Sequence, residues 1–194
     1  MDHVLSALTS TGLRSPLQTS YPESATGGSL GEDSLLDRYK SHAEKYSRAV
    51  IDNGGATMPS TSHDIASGAD PLPVGDKEWY GVGGAKDYRQ EGRPRVPEKI
   101  LQPSQFTDTE ALRHILGVED HNTARERTGT QVEAAFAGGW KENGPDGNPR
   151  IVLDHSLALP GKDTALNMGR EAGERAIFDA KNIQEISTET GKPI

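Results

Sequence analysis

From residue 53 to residue 75 the chain is built of Gly, Ala, Thr, Ser and Pro, and Ile65 is its only branched aliphatic residue before Leu72. A structureless run longer than about 15 residues is uncommon inside a compact domain. A segment of this composition therefore reads as a break between folded parts, or as a strap lying across a surface. Everything else in the sequence arranges itself around that break.

Ahead of it, residues 1–30 read as a flexible arm, with Leu5, Leu8, Leu13 and Leu17 isolated among Ser, Thr, Gly and Pro. Residues 31–52 read as an amphipathic helix. Ser29 and Glu32 have capping-box spacing, and Leu35, Leu36, Tyr39, Ala43, Tyr46, Val50 and Ile51 recur at three- and four-residue steps. Asn53-Gly54-Gly55 is a strong helix stop. A stripe this narrow must lie on something, either its own domain or a neighbouring subunit.

After the break, residues 53–103 continue as linker or extended strap, with a short strand near 78–82 and then Pro94, Pro97 and Pro103, which exclude a central strand or helix. Residues 104–194 read as a small α+β domain with two layers and a short sheet. Thr107 and Glu110 repeat the capping-box spacing, and a helix follows to Gly117. A second helical stretch runs from Thr123 to Phe136. The Asn143-Gly-Pro-Asp-Gly-Asn148 turn joins two strands as a hairpin with a six-residue loop, the second strand running through Ile151-Val-Leu153, Leu157 and Leu159. Asp163 caps a helix over 164–172 that stops at Gly173, Ala176-Ile-Phe178 is a strand, and Ile183 and Ile186 flank another. Phe136, Trp140, Leu153, Ile177 and Phe178 are expected to share one core.

Composition narrows the function classes. Fewer than a fifth of the 194 residues are Leu, Ile, Val or Phe, and Gly (22) and Pro (12) are in excess, which argues against a chain packed along its whole length. No apolar run approaches the roughly 18 residues needed to cross a membrane, so no membrane partner is expected. Acidic residues outnumber basic ones 29 to 21, for a net charge of −8. This balance disfavours nucleic acid, which calls for a basic face. There is no Cys, so disulfides, thiolate metal sites and Cys nucleophiles are excluded. Met1-Asp2-His3 lacks the basic start of a secretion signal.

No motif announces a reaction. The six His make no His-x-x-x-His or His-Glu-x-x-His pattern, and no metal or cofactor is expected. Asp154-His155 is the most enzyme-like pair, but neighbours on a strand point to opposite faces. Gly81-Val-Gly-Gly84 lacks the dinucleotide fingerprint. Gly138-Gly139-Trp140 reads as a turn or a close backbone approach. Arg89, Arg93, Arg95 and Lys99 read as a solvated loop. Trp79 and Trp140 read as anchors of packing or of an interface. With Leu35, Tyr39, Tyr46 and Val50 of the helix stripe, they are the residues expected to carry interactions.

The run Phe136-Ala-Gly-Gly-Trp140, Ile151-Val-Leu-Asp-His-Ser156, Met168-Gly-Arg-Glu-Ala-Gly173, Ala176-Ile-Phe-Asp179 and Glu185-Ile-Ser-Thr188 resembles a small uncharacterised α+β domain family of tailed-bacteriophage and prophage proteins. The resemblance covers about residues 120–191. Thr188-Glu-Thr-Gly191 stands where the family pattern ends in a Thr-Gly-Gly turn. The resemblance implies a phage origin and no particular chemistry. With the arms and the helix, it leads to the expectation of a virion-associated structural or interaction protein: a minor capsid, neck or tail component, made in the host bacterial cytoplasm. Its partners would be the major capsid, portal or tail proteins, with self-association left open. The alternative is a phage-encoded enzyme or a host-directed effector or inhibitor.

Overall fold

Ser34 opens the first helix, α1 (Leu35–Asn53), its side chain accepting a hydrogen bond from the Asp37 N–H at 3.2 Å. Gly54 closes the helix in the left-handed region, φ +77°. The computed structural model describes residues 34–75, 77–86, 90–92, 94–129 and 134–194. The arm 1–30, the Ser29–Glu32 cap, and Arg89 and Arg93 of the basic stretch lie outside the described residues.

The expected strap is where structure and composition part company. Residues 53–103 hold β1 (Gly55–Pro59), α2 (Ser62–Ser67), β2 (Tyr80–Val82) and β3 (Lys99–Leu101). The three strands belong to the same sheet as the C-terminal strands β4 (Phe136–Asn143), β5 (Pro149–Leu159), β6 (Ala176–Asp179) and β7 (Gln184–Ser187). The sheet is antiparallel, in the order β1-β4-β5-β2-β6-β7, and β3 also pairs with β5. Residues 104–194 are therefore not a separate domain. The Gly-Ala-Thr composition of β1 concealed a strand because its pairing is backbone to backbone. Gly55 has to be small, since a Cβ there would stand 2.6 Å from the Trp140 ring. Met58 is the large side chain that β1 sinks into the core.

Helix α3 (Asp108–Arg127) starts at the predicted Thr107 cap but runs through Gly117. Ile115, Val118 and His121 are all buried, and that packing outweighs the roughly 1 kcal/mol a helical Gly costs. The second helical stretch expected over 123–136 is thus partly the end of α3, and Phe136 begins β4. The hairpin that follows pairs Asn143 with Pro149, one residue tighter than expected. Helix α4 (Lys162–Ala172) stops at Gly173, φ +76°, as the sequence suggests, although its N-cap is Gly161 and Asp163 sits in the first turn.

The fold is α+β, as expected. Strand alternation assigns the two faces. Gly139, Leu153, His155, Leu157, Val82 and Ile177 turn toward the helices. Tyr46 and Val50 of α1 crowd Gly139, His114 and His121 of α3 meet His155, and Gly169 of α4 lies on Ile177. The core is this single layer of helices on one face. The opposite face carries Gly138, Trp140, Asp154, Ser156, Gly81 and Phe178 and has no helix on it among the described residues. Phe136, Trp140 and Phe178 are only partly buried and do not share the Leu153–Ile177 core, contrary to expectation.

One buried amide ties the last turns of α3 to the residue that precedes β4. Asn122 Nδ2 donates to the Ala135 carbonyl and Asn122 Oδ1 accepts from the Ala135 N–H, both at 2.8 Å. Asn122→Ala strands that donor and acceptor and is expected to cost about 2–3 kcal/mol in urea unfolding. A loss below about 0.5 kcal/mol would show that water replaces the bonds.

Candidate functional site

The sheet face opposite the helices holds a cleft of about 480 Å³. Its floor is Gly81, Gly83 and the even-numbered side of β5, and its wall is Trp140 and Phe178, with ring centroids 5.0 Å apart. Trp140 comes from the Gly138-Gly139-Trp140 run, and local sterics explain that run. A Cβ on Gly138 would fall 2.1 Å from Ser156 Oγ and 2.2 Å from Asp154 Oδ1, so Gly138 makes room for the Asp154 carboxylate. A Cβ on Gly139 would fall 2.5 Å from the Tyr46 hydroxyl on the other face. Two adjacent glycines clear opposite sides of one strand.

Asp154 is 5% exposed. Ser156 Oγ donates to its Oδ1, and the Trp140 indole N–H donates to Oδ2 at 3.3 Å. Glu174 enters from the turn between α4 and β6. The point where a Cβ on Gly83 would stand lies 3.0 Å from Asp154 Oδ2 and 3.1 Å from Glu174 Oε1, so the two carboxylates are no more than about 6 Å apart. Burial, resisted by the bonds from Ser156 and Trp140 and reinforced by Glu98, pushes the Asp154 carboxyl up to about 6. Burial first, then the charges of Glu98 and Asp154, push Glu174 up to about 7, against the pull of Arg95. At the rim, Arg150 is paired with Glu142 at 2.7 Å and Arg175 with Glu185 at 3.2 Å. Among the described residues that line the cleft, no guanidinium or ammonium pairs with Asp154, Glu174 or Glu98. The site is an under-neutralised acidic floor beside an aromatic wall.

His155 plays no part there. Its ring points to the helix side, 5.6 Å from His114 and 5.2 Å from His121 between ring centroids. His114 Nε2 donates to the main-chain carbonyl of Asp154 at 2.9 Å, and burial holds the His114 ring down at about 4, so it is neutral. Asp154 and His155 therefore sit on opposite faces, as strand geometry requires. No group of His, Asp or Glu among the described residues has a metal-holding arrangement.

The residues expected to carry interactions scatter. Tyr46 and Val50 are fully buried in the chain's own core, and Tyr39 packs against it, so the α1 stripe is not a docking surface. The stripe closes on α3 and the sheet rather than on a neighbour. Leu35 is exposed at the start of α1, away from the cleft. Trp79 is buried, donating its indole N–H to the Pro73 carbonyl at 2.8 Å. Only Trp140 reaches the cleft. Arg95 donates to the Gly84 carbonyl and Lys99 pairs with Glu110, so the described part of the basic stretch is spent on the chain itself. The sequence reading missed Glu174 and Glu98, and placed Phe178 in the core rather than in the cleft, because no spacing relates them. They meet only when β6 is laid beside β2 and β2 beside β5. No protein-family model, curated protein or solved structure matches this chain. No helix among the described residues is long and apolar enough to cross a membrane.

Proposed function

We propose that the protein is an interaction component of a tailed-phage particle, and that it holds a cationic group of a partner protein in the cleft formed by Asp154, Glu174, Glu98 and Trp140. The particle setting rests on the resemblance of residues 120–191 to phage domains. The contact site rests on one observation: the buried Asp154 carboxylate and the half-buried Glu174 carboxylate stand no more than about 6 Å apart, unpaired by any cation lining the cleft among the described residues, with the Arg95 guanidinium, itself donating to the Gly84 carbonyl, only acting on Glu174 from nearby. An entering ammonium or guanidinium relieves their mutual repulsion, and the indole face adds cation–π attraction of about 0.5–2 kcal/mol. Mass spectrometry of purified particles should find the protein at fixed copy number. Asp154→Asn combined with Glu174→Gln should lower its incorporation at least tenfold, whereas Leu35→Lys should not. Particles lacking the wild-type chain would end the particle reading. Full incorporation of the double variant would end the cleft reading.

A phage-encoded enzyme or host-directed effector is the second reading, favoured by the same pair titrating near 6 and 7. One carboxyl protonated and one ionised near neutrality is the arrangement of a general acid and a general base. Its signature would be a hydrolytic activity abolished by either single substitution.

A further inference from the structure

Ile183 stands at φ +52°, the one non-glycine residue with positive φ among those described, and its side chain is 62% exposed. A β-branched residue in the left-handed region is a steric outlier, and burial does not account for it here. The turn is pinned from below. The Asp179 carboxylate accepts from the Asn182 N–H at 3.2 Å, from Asn182 Nδ2 at 2.7 Å and from Gln184 Nε2 at 3.3 Å. The Gly75 N–H donates to the Ala180 carbonyl at 2.8 Å, which ties the 71–75 segment to the same turn. Ile183 is therefore held out beside Leu72 and Val74, and Val74 is itself 45% exposed. Together they edge an apolar groove of about 320 Å³.

Trp140 and Phe178 line both this groove and the acidic cleft. The two cavities are neighbours across one aromatic wall, one apolar and one carrying the carboxylates of Asp154, Glu174 and Glu98 in excess of the nearby Arg95 guanidinium. We propose that together they form a single docking surface for an extended segment of a partner protein, with a basic side chain seated between Asp154 and Glu174 and a nearby aliphatic side chain seated against Leu72, Val74 and Ile183. The inference rests on the cleft reading given above and adds to it the second anchor. Charge complementarity selects the basic residue, and the displayed aliphatic edge selects its neighbour. In an extended strand, alternate residues share a side, so the pattern is basic–x–aliphatic.

The full 194-residue chain has two Trp residues, so an amide-correlation spectrum of the nitrogen-labelled protein contains two indole N–H signals. The probes are acetylated, amidated heptapeptides: Gly-Gly-Arg-Gly-Leu-Gly-Gly and its Arg→Ala and Leu→Ala versions. The Arg-Gly-Leu peptide should shift the Trp140 signal and bind at least fivefold more tightly than either truncated version. Ile183→Asp should erase the advantage of the Leu while leaving the Arg-only peptide bound as before. If the Arg peptides bind and Leu confers nothing, the two-anchor inference fails while the cleft reading stands. If no peptide moves the Trp140 signal, both fail. If the chain self-associates through this surface and Ile183→Asp makes it monomeric, the occupant is a second copy and the partner-protein assignment is overturned.

Discussion

Tyr46→Ala is expected to cost about 3–5 kcal/mol, a large part of the stability a single domain has to lose. Tyr46 is completely buried. Its ring meets Phe106 edge-on at 6.0 Å and stacks on His114 at 6.0 Å, so it joins α1 to α3 over the middle of the sheet. Urea unfolding should show the loss directly. The hydroxyl makes the experiment sharper. It is buried with no hydrogen-bond partner among the described residues, and it lies where a Cβ on Gly139 would have to go, 2.5 Å away. Gly139→Ala should therefore destabilise by about 1–3 kcal/mol through overpacking. Tyr46→Phe should be neutral or stabilising by about 1 kcal/mol, because an unsatisfied buried hydroxyl is removed. The double variant should recover part of the Gly139→Ala loss, since the crowding atom is gone. Strictly additive losses would show that Val50, whose Cγ2 lies 2.8 Å from the same point, sets the limit instead.

The second large effect is a gain. Asp154→Asn is expected to stabilise the protein above neutral pH by as much as about 3 kcal/mol, less whatever the altered bonds to Ser156 and Trp140 cost. The Asp154 carboxyl is raised from 3.8 to about 6, so the folded state keeps a proton that the unfolded chain has given up. The stability from that proton is fully present below pH 4 and is lost as pH rises through 6. Glu174, raised from 4.5 to about 7, acts in the same direction over a window ending near 7. His114 acts in the opposite direction. Lowered from 6.5 to about 4, it stabilises above 6.5 and its contribution is lost as pH falls toward 4. His42, also lowered by burial, acts like His114, so unfolding free energies of the wild type should fall only above about pH 7, once the unfolded histidines have given up most of their protons. The Asp154→Asn protein should fall less steeply, and the two should converge below pH 4. A variant less stable than wild type at pH 8 would mean that the carboxylate is held by partners strong enough to outweigh its burial. A residue kept where it weakens the fold is the usual mark of a functional site.

Local signals in the sequence were reliable where the physics is local. The Asn53-Gly54-Gly55 stop, the Thr107 cap, the Asn143–Asn148 turn and the Gly173 stop all lie where backbone sterics and short-range hydrogen bonds demand them. The α+β class and the opposed faces of Asp154 and His155 follow from the same periodicities. The strap over 53–75 was misread because β1 owes its place to backbone pairing with β4 and to the smallness of Gly55, neither of which leaves an apolar pattern, whereas the strand expected near 78–82 is β2. The α1 stripe looked unpartnered because its partner, α3, lies more than fifty residues further along the chain. The cleft was illegible for the strongest reason. Its carboxylates come from β5 and from the turn between α4 and β6, and the shift of each depends on burial that exists only once the sheet is assembled. The amino-acid order by itself determined where α1 and α4 stop, where α3 starts and where the β4–β5 hairpin turns, because each of these is settled within a few residues. Only the tertiary structure decided which face of the sheet the helices cover and which acids are left facing one another on the other, because burial and like-charge proximity are properties of the packed chain and not of its order.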